Sequence, residues 1–371
     1  MCAAASTPPL WSSIATPTGR RRTRSNSPNT VSSYIGIDVG TSGTRAIAID
    51  DAGIILSEIA APFPEANIDG LKVEQDPAIW WTQSLAVLTK LVSQIDPESV
   101  AAVAIDGTSA TVILTDTTGQ PLHPALMYND ARSVEQAKRI AQQADRVSAA
   151  HGVTSSLAKL LWLTEHGYCT DATHLLHQAD WIACQLGAAP GLSDPNNCLK
   201  LGYDPLQQRW PDWLDQLGIP INLLPTVHSA GTPIATIKPI LAKTLGLSPG
   251  VQVCAGTTDS TAAFIASGAD AVGDAVTALG STLVVKVLSD VPVFAPEYGV
   301  YSHPLFGRWL VGGASNSGGA VLLQHFTQAQ LDNLTPLLQP DQPTGLDYYP
   351  LPRPGERFPI NDPTLQPRLT P

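Results

Sequence analysis

No run of about 18 uninterrupted apolar residues occurs anywhere in the chain, so the sequence offers nothing to span a bilayer as a helix. Cysteine is sparse: the 5 present include no CxxC pair, and Cys169, Cys184 and Cys198 are widely spaced. That pattern fits reduced thiols in a cytosol-like compartment and argues against a disulfide frame or a zinc site. Three catalytic signatures are also missing. There is no GxxxxGK(S/T) phosphate loop, no HExxH helix and no GxSxG nucleophile elbow. The 8 histidines, among them His151, His166, His174, His177 and His303, show no metal-ligand spacing and read as structural or surface groups. Charge is scarce, at 14% of residues, and acidic in balance, with Lys+Arg 21 against Asp+Glu 32. Four arginines (Arg20, Arg21, Arg22, Arg24) stand in the first 33 residues, which hold no acid. The remainder therefore carries 17 − 32 = −15, which disfavours nucleic acid and anionic membrane as partners.

What is present suffices for two domains: 371 residues, 43% of them hydrophobic. Residues 1–33 are rich in Ser, Thr, Pro and Arg without apolar periodicity, the composition of a disordered leader or of an organellar transit peptide. Cytoplasm is the default location, and a plastid stroma the alternative if that leader is a transit peptide. At Tyr34 the character changes. Tyr34–Val39 reads as a strand, Gly40-Thr41-Ser42-Gly43 as a turn, Thr44–Asp50 as the returning strand, and Ile54-Ile55-Leu56 as part of a third. Asp76-Pro77 marks a helix start followed by Trp80, Trp81, Leu85, Leu88 and Leu91 at helical spacing. Val100–Ile105, Val112–Leu114 and Val251–Ala255 read as further strands, Ser133–Ala150 as a polar-faced helix, and Ser260–Ser267 as an Ala-rich one. Near the end, Ala275–Leu279, Gly280-Ser281-Thr282 and Leu283–Leu288 repeat the opening unit of apolar strand, Gly-plus-hydroxyl turn and apolar strand. Either the repeat is chance, or two related halves face each other across a cleft suited to a small ligand.

Asp38-Val39-Gly40-Thr41-Ser42-Gly43-Thr44 sets a carboxylate at a strand end beside a turn rich in Gly and hydroxyls. Such a turn exposes backbone amides to a phosphate, and the acid can hold Mg²⁺ through water. The same residues also make a plain tight hairpin. Gly256-Thr257-Thr258-Asp259 joins a strand to a helix, where Asp259 reads as an N-cap, as a general base, or as both. Gly312-Gly313-Ala314-Ser315-Asn316-Ser317-Gly318-Gly319 reads as a backbone-exposing loop before an apolar helix.

Taken in order, Gly36–Ser42, Glu74–Trp81, Tyr128-Asn129-Asp130-Ala131-Arg132, Gly256–Asp259, Leu279–Thr282 and Gly355–Pro363 resemble the FGGY family of carbohydrate kinases over residues 34–371. The resemblance implies an α/β fold of two ribonuclease-H-like, actin-like ATPase domains, with a small-molecule sugar and ATP in the cleft. After the leader at 1–33, it implies a sugar-binding and catalytic domain at 34–268 and a nucleotide-binding domain at 269–371 that lacks the family's later segments. By position, Asp259 matches the catalytic base, and Asp38 the acid near Mg²⁺, the sugar and the transferred phosphate. Thr41 and Ser42 match the first phosphate loop, Gly280, Ser281 and Thr282 the second, and Gly312, Gly313 and Gly318 a region lining the nucleotide. Where relatives carry long polar side chains after strand Val100–Ile105, this chain has Thr108-Ser109-Ala110. That departure resembles the plant and cyanobacterial kinases acting on D-ribulose, with Ser109 as substrate contact. The expected activity is phosphorylation of D-ribulose. The alternatives are D-xylulose, another polyol, or a non-catalytic remnant that binds sugar or nucleotide.

Overall fold

The computed structural model describes residues 31–280 and 282–369; the leader up to residue 30 and Ser281 of the second turn lie outside the described residues. The opening meander forms as its turns dictate: β1 (Ser33–Val39), β2 (Gly43–Asp50) and β3 (Ile55–Pro62) pair antiparallel in sequence. β1 starts one residue earlier than the sequence suggests, and the third strand runs on to Pro62. On the other side of β1 lie β4 (Val100–Gly107) and β6 (Gln252–Thr258), both parallel to it, with β5 (Pro233–Thr236) antiparallel at the edge. The sheet order is thus β5-β6-β4-β1-β2-β3. An antiparallel meander continued by parallel strands beside β1 is the arrangement of a ribonuclease-H-like domain.

Alternation sets which face is buried. Ile35, Ile37 and Val39 on β1 and Val103 and Ile105 on β4 are in the core, together with Trp80, Leu88 and Leu91 of α1 (Pro77–Val92). Asp76 caps α1 by accepting from the Ala78 amide, as its Asp-Pro signal predicts. α2 (Gln178–Leu186) joins the same core, its Trp181 edge-on to Trp80 with ring centroids 6.3 Å apart. A second apolar core forms around the helix Ser156–Glu165 and an accessory five-stranded sheet, whose first two strands, Asn67–Asp69 and Lys72–Gln75, precede β4. Within the Tyr128–Arg132 motif, Tyr128 and Asn129 are exposed, while Asp130 and Arg132 brace the interior. The buried Asp130 carboxylate accepts from the Val73 amide (2.7 Å) and pairs with Arg132, which also reaches Glu74 (2.7 Å). The expected helix Ser133–Ala150 is shorter, Val134–Gln143, because the chain turns extended at Ala144 and makes a tight turn at Asp145–Ser148.

After β6, α3 (Asp259–Ala266) leads to a four-stranded antiparallel sheet: β7 (Ala275–Leu279), β8 (Leu283–Ser289), β9 (Tyr301–Leu305) and β10 (Arg308–Ser315), in the order β7-β8-β10-β9. Its β7–β8 hairpin resembles the β1–β2 hairpin with a loop one residue shorter: the Gly40 amide donates to Gly43 O (2.9 Å), and the Gly280 amide to Thr282 O (3.1 Å). A small core of Phe264, Leu288, Leu305 and Leu310 fastens this sheet to α3. Cys169, Cys184, Cys198 and Cys254 are free thiols. Among the described residues no helix is long and apolar enough to cross a membrane.

One glycine controls how β6 delivers α3. The register of β6 against β4 shifts between Cys254 and Thr257, and at Gly256 a Cβ would lie 2.0 Å from Ile105 O. Gly256→Ala must push two central strands apart, and we expect it to cost about 2–3 kcal/mol in a urea-unfolding measurement. A change under about 0.5 kcal/mol would contradict this packing.

Candidate active site

Four neighbouring strands place polar residues in one row. In register, Arg45 on β2 faces Asp38 on β1, Asp38 faces Asp106 on β4, and Asp106 faces Thr257 on β6. Register partners point to the same face, so the row lies together near the C-terminal ends of the parallel strands β1, β4 and β6, where ligands of α/β sheets bind. Asp259, two residues beyond Thr257, completes the group. The sequence singled out Asp38 and Asp259; it missed Asp106. The missed signal was a parallel one, since Ile105-Asp106-Gly107 repeats the strand-acid-glycine ending of Ile37-Asp38-Val39-Gly40.

The row is electrostatically tense. Burial drives the Asp106 carboxyl well above the usual range, and the negative charges of Asp38 and Asp259 push it the same way. The two carboxyl groups are register partners on β1 and β4, so each acts on the other's ionisation. Asp38 is raised too, by burial, although Arg45 (Nη1 to Oδ2, 3.1 Å) and the neighbouring Asp106 carboxyl act to lower it. Burial likewise raises Asp259, with Asp38 adding to the effect and the Ser260 amide, Lys200 and Lys286 opposing it. A carboxylate raised toward neutrality is a better proton acceptor.

Asp259 is not the N-cap that its strand-to-helix position suggests. Thr258 occupies that position, its hydroxyl bonded to Thr261 (3.0 Å), while Asp259 lies in the first turn and accepts from the Ser260 amide (2.6 Å). Its carboxylate is not consumed by capping the helix. Thr41 and Ser42 sit exposed at the tip of the β1–β2 turn, and the Thr44 hydroxyl ties that turn back to Asp38 O (2.9 Å). Ser109 lies two residues past Gly107, whose register partners are Val39 and Thr258. Its neighbours are committed: Thr108 is buried, bonded through its hydroxyl to Thr111 and Gln178 (both 2.6 Å), and Ala110 is fully buried. Ser109 remains the partly exposed side chain of that loop.

The second glycine group divides. Gly280 and Thr282 form the β7–β8 turn, and the loop holding Gly318 is stitched to it by Gly319 N to Gly280 O and Leu283 N to Ser317 O (both 2.7 Å). Gly312 and Gly313, by contrast, are not in a loop: both lie within β10, because the apolar run Trp309-Leu310-Val311 carries the strand through them to Ser315. Their missing side chains serve packing. A Cβ on Gly313 would meet the Phe358 ring at 2.6 Å, and one on Gly312 the Lys286 stem at 3.2 Å. The Gly355-Glu356-Arg357 motif holds the following loop. Burial alone would raise Glu356, but hydrogen bonds from the Asn316 amide, the Ser315 hydroxyl, the Arg357 amide and the Tyr349 hydroxyl keep it below the usual range.

Among the described residues no group of three or more His, Cys, Asp or Glu is arranged to hold a metal ion. Asp38, with its side chain 34% exposed, nevertheless suits Mg²⁺, which takes one or two carboxylates and fills its shell with water and phosphate oxygens.

Behind the Ser109 loop stands Lys159, fully buried, its ammonium donating to Ala110 O (2.7 Å), Met127 O (2.7 Å) and Tyr128 O (3.3 Å). It holds Ala110 at φ 71°, a left-handed conformation that side chains disfavour. Burial lowers the Lys159 pKa to about 7. Because that value is depressed below the unfolded one, the unfolded chain binds more protons between the two. The resulting stability is greatest above the unfolded pKa and is lost as pH falls through about 7. Relative to Lys159→Met, the wild type should gain on the order of 2–3 kcal/mol between about pH 6 and pH 9. Parallel stability–pH curves for the two would contradict the assignment.

Residues 33–266 match the model of the FGGY family of carbohydrate kinases, N-terminal domain. The chain is 27% identical to a xylulose kinase of Klebsiella pneumoniae over 290 residues, covering 74% of this chain and 59% of that protein. It is 26% identical to the Escherichia coli (strain K12) xylulose kinase over 348 residues, 89% of this chain and 71% of that one. Among solved structures, the xylulose kinase of Rhodospirillum rubrum superposes with TM-score 0.75 at 23% identity, over 88% of this chain and 71% of that one. The gluconate kinase of Lactobacillus acidophilus gives TM-score 0.73 at 19% identity, over 80% and 62%. These structural likenesses establish the actin-like, ribonuclease-H-like fold and carry no substrate.

Proposed function

Because the chain belongs to the FGGY family of carbohydrate kinases, we propose that it phosphorylates a primary hydroxyl of a ketopentose with ATP, most specifically D-ribulose. The observation that carries this reading is the convergence of Asp38, Asp106 and Asp259 at the ends of three adjacent parallel strands. In it, Asp259 accepts the proton of the sugar's primary hydroxyl as that oxygen attacks the terminal phosphorus. A new sugar O–P bond forms, the bond to the bridging oxygen breaks, and ADP leaves. Positioning and charge stabilisation lower most of such a barrier, and the base needs only to be placed and ionised. Asp38 faces the transferred phosphate, with Thr41 and Ser42 on the β1–β2 turn beside it and Gly280, Thr282 and Gly318 on the opposing turn and loop. Mg²⁺ at Asp38 would supply neutralising charge to the phosphates. Residues 34–268 would carry the sugar and residues 269–371 the nucleotide.

D-ribulose rests on the loop after β4. With Thr108 and Ala110 buried, Ser109 alone offers the sugar a short hydroxyl, so a site without longer polar groups rejects few sugars by leaving its own donors unpaired. D-xylulose is the second reading, favoured by the relatives named xylulose kinase. ADP release with D-ribulose, D-xylulose, glycerol and gluconate separates them. D-ribulose should give the highest kcat/KM, and a tenfold preference for D-xylulose would replace it. Sugar binding without turnover would leave a binding remnant. Asp259→Asn should lower kcat by roughly 10²–10⁴-fold with an unchanged melting temperature, since the asparagine side-chain oxygen can accept the same Ser260 amide. Full turnover in that variant would remove Asp259 from the role of base.

A further inference from the structure

A cation reaches this site from the second sheet. Lys286 lies in the middle of β8, and Leu288, two residues on, shares its face. Leu288 packs against Phe264 of α3, and Ser260 lies four residues before Phe264 on the same side of that helix. The two elements meet as a pair of rungs. Leu288 meets Phe264 in the apolar core, and the Lys286 Nζ donates to Ser260 Oγ at 3.0 Å, one residue from Asp259. Gly312 faces Lys286 across β8 and β10, and its missing Cβ, which would stand 3.2 Å from Lys286 Cγ, leaves room for the lysine stem.

The ammonium is expensive where it sits. Lys286 is 6% exposed, and a buried charge costs several kcal/mol unless it is compensated. Its compensation is incomplete. Of three N–H donors, the one to Ser260 is the only hydrogen bond found among the described residues, and no ion pair within 4.0 Å is found there either. The groups that face it are Asp259, which favours its charge, Lys200, which opposes it, and His303, which is fully buried. Burial together with Lys286 and Lys200 holds His303 well below its ordinary value, so it is neutral and no rival cation. Burial lowers Lys286 itself to about 8, which leaves it charged at neutral pH. A methionine would fill the same volume and pack on the same glycine without the desolvation cost. The charge is what packing leaves unexplained.

Resting on the kinase reading above, we propose that Lys286 is a catalytic residue of phosphoryl transfer: its ammonium, delivered from β8 to the first turn of the helix carrying Asp259, meets the transferred phosphoryl group. Two unpartnered donors there neutralise charge on the equatorial oxygens while Asp259 takes the hydroxyl proton, and Lys286 itself gives up no proton. Such preplaced charge acts where charge develops, which is how phosphoryl transfer is accelerated.

The test uses the full chain with Lys286→Met, Lys286→Arg and Ser260→Ala, read by ADP release with D-ribulose and D-xylulose and by calorimetry of sugar binding. Lys286→Met should lower kcat by about 100-fold or more while the sugar Kd moves less than about threefold. The wild-type rate should fall as pH rises through about 8, the point at which Lys286 loses its charge, and Lys286→Arg should keep its rate beyond it. Ser260→Ala, which removes the hydrogen-bond acceptor but not the charge, should lose less than about tenfold, and the basic limb of Lys286→Arg decides the matter if Lys286→Met fails to fold. Undiminished turnover in Lys286→Met, an unchanged basic limb in Lys286→Arg, or equal losses in Ser260→Ala and Lys286→Met would each overturn the proposal. A wild type that binds sugar but never releases ADP overturns the kinase reading, and this role with it.

Discussion

Everything in the site depends on the register of three parallel strands. β1, β4 and β6 end level with one another, so residues far apart in the chain, Asp38, Asp106 and Thr257, are forced into one row with no freedom to separate. The apolar residues that alternate with them, Ile37, Val39 and Ile105, lock that register, since a slip of one residue would bury the acids and expose the core. Two carboxyl groups held side by side in a partly desolvated setting cannot both ionise easily. Burial and the charges of Asp38 and Asp259 all push the Asp106 carboxyl well above the usual range.

The surrounding cations complete the balance. Arg45 meets Asp38 from β2, and Lys200 and Lys286 act on Asp259 from the short 3-10 helix Leu199–Leu201 and from the second sheet. In a chain whose overall charge is −11, positive groups are gathered where an anionic ligand is expected. Glycines supply the room this crowding needs. Gly256 lets β6 approach β4 so that Asp259 is delivered level with the row, and Gly312 lets the Lys286 stem lie flat.

The local signals of the sequence were readable wherever a short stretch decides its own structure. Asp76-Pro77 started α1 as expected, and the paired hairpins at Gly40–Gly43 and Gly280–Thr282 formed as written. Asp38 and Asp259 stood out because each adjoins glycine and hydroxyl residues. Features that depend on distant neighbours were hidden. Asp106 becomes a site residue only through its register with Asp38, and Thr258 rather than Asp259 takes the cap because β6 runs on past its apolar stretch. Gly312-Gly313 reads as a loop until β8 and Phe358 are seen to require the absence of side chains. Lys286 carries no motif at all; only its contact with Ser260 reveals it.

The proposed phosphoryl transfer requires the sugar's reacting hydroxyl and the transferred phosphate to meet at the carboxyl row. The fold alone cannot carry that claim, since relatives named for different sugars share it. A crystal structure of the chain with D-ribulose and a non-hydrolysable ATP analogue bound in the presence of Mg²⁺ tests it directly. A primary hydroxyl of the sugar should then stand within hydrogen-bond distance of the Asp259 carboxylate, with the terminal phosphate between the Gly40–Gly43 and Gly280–Thr282 turns. Sugar or phosphate bound away from Asp38 and Asp259 would contradict it.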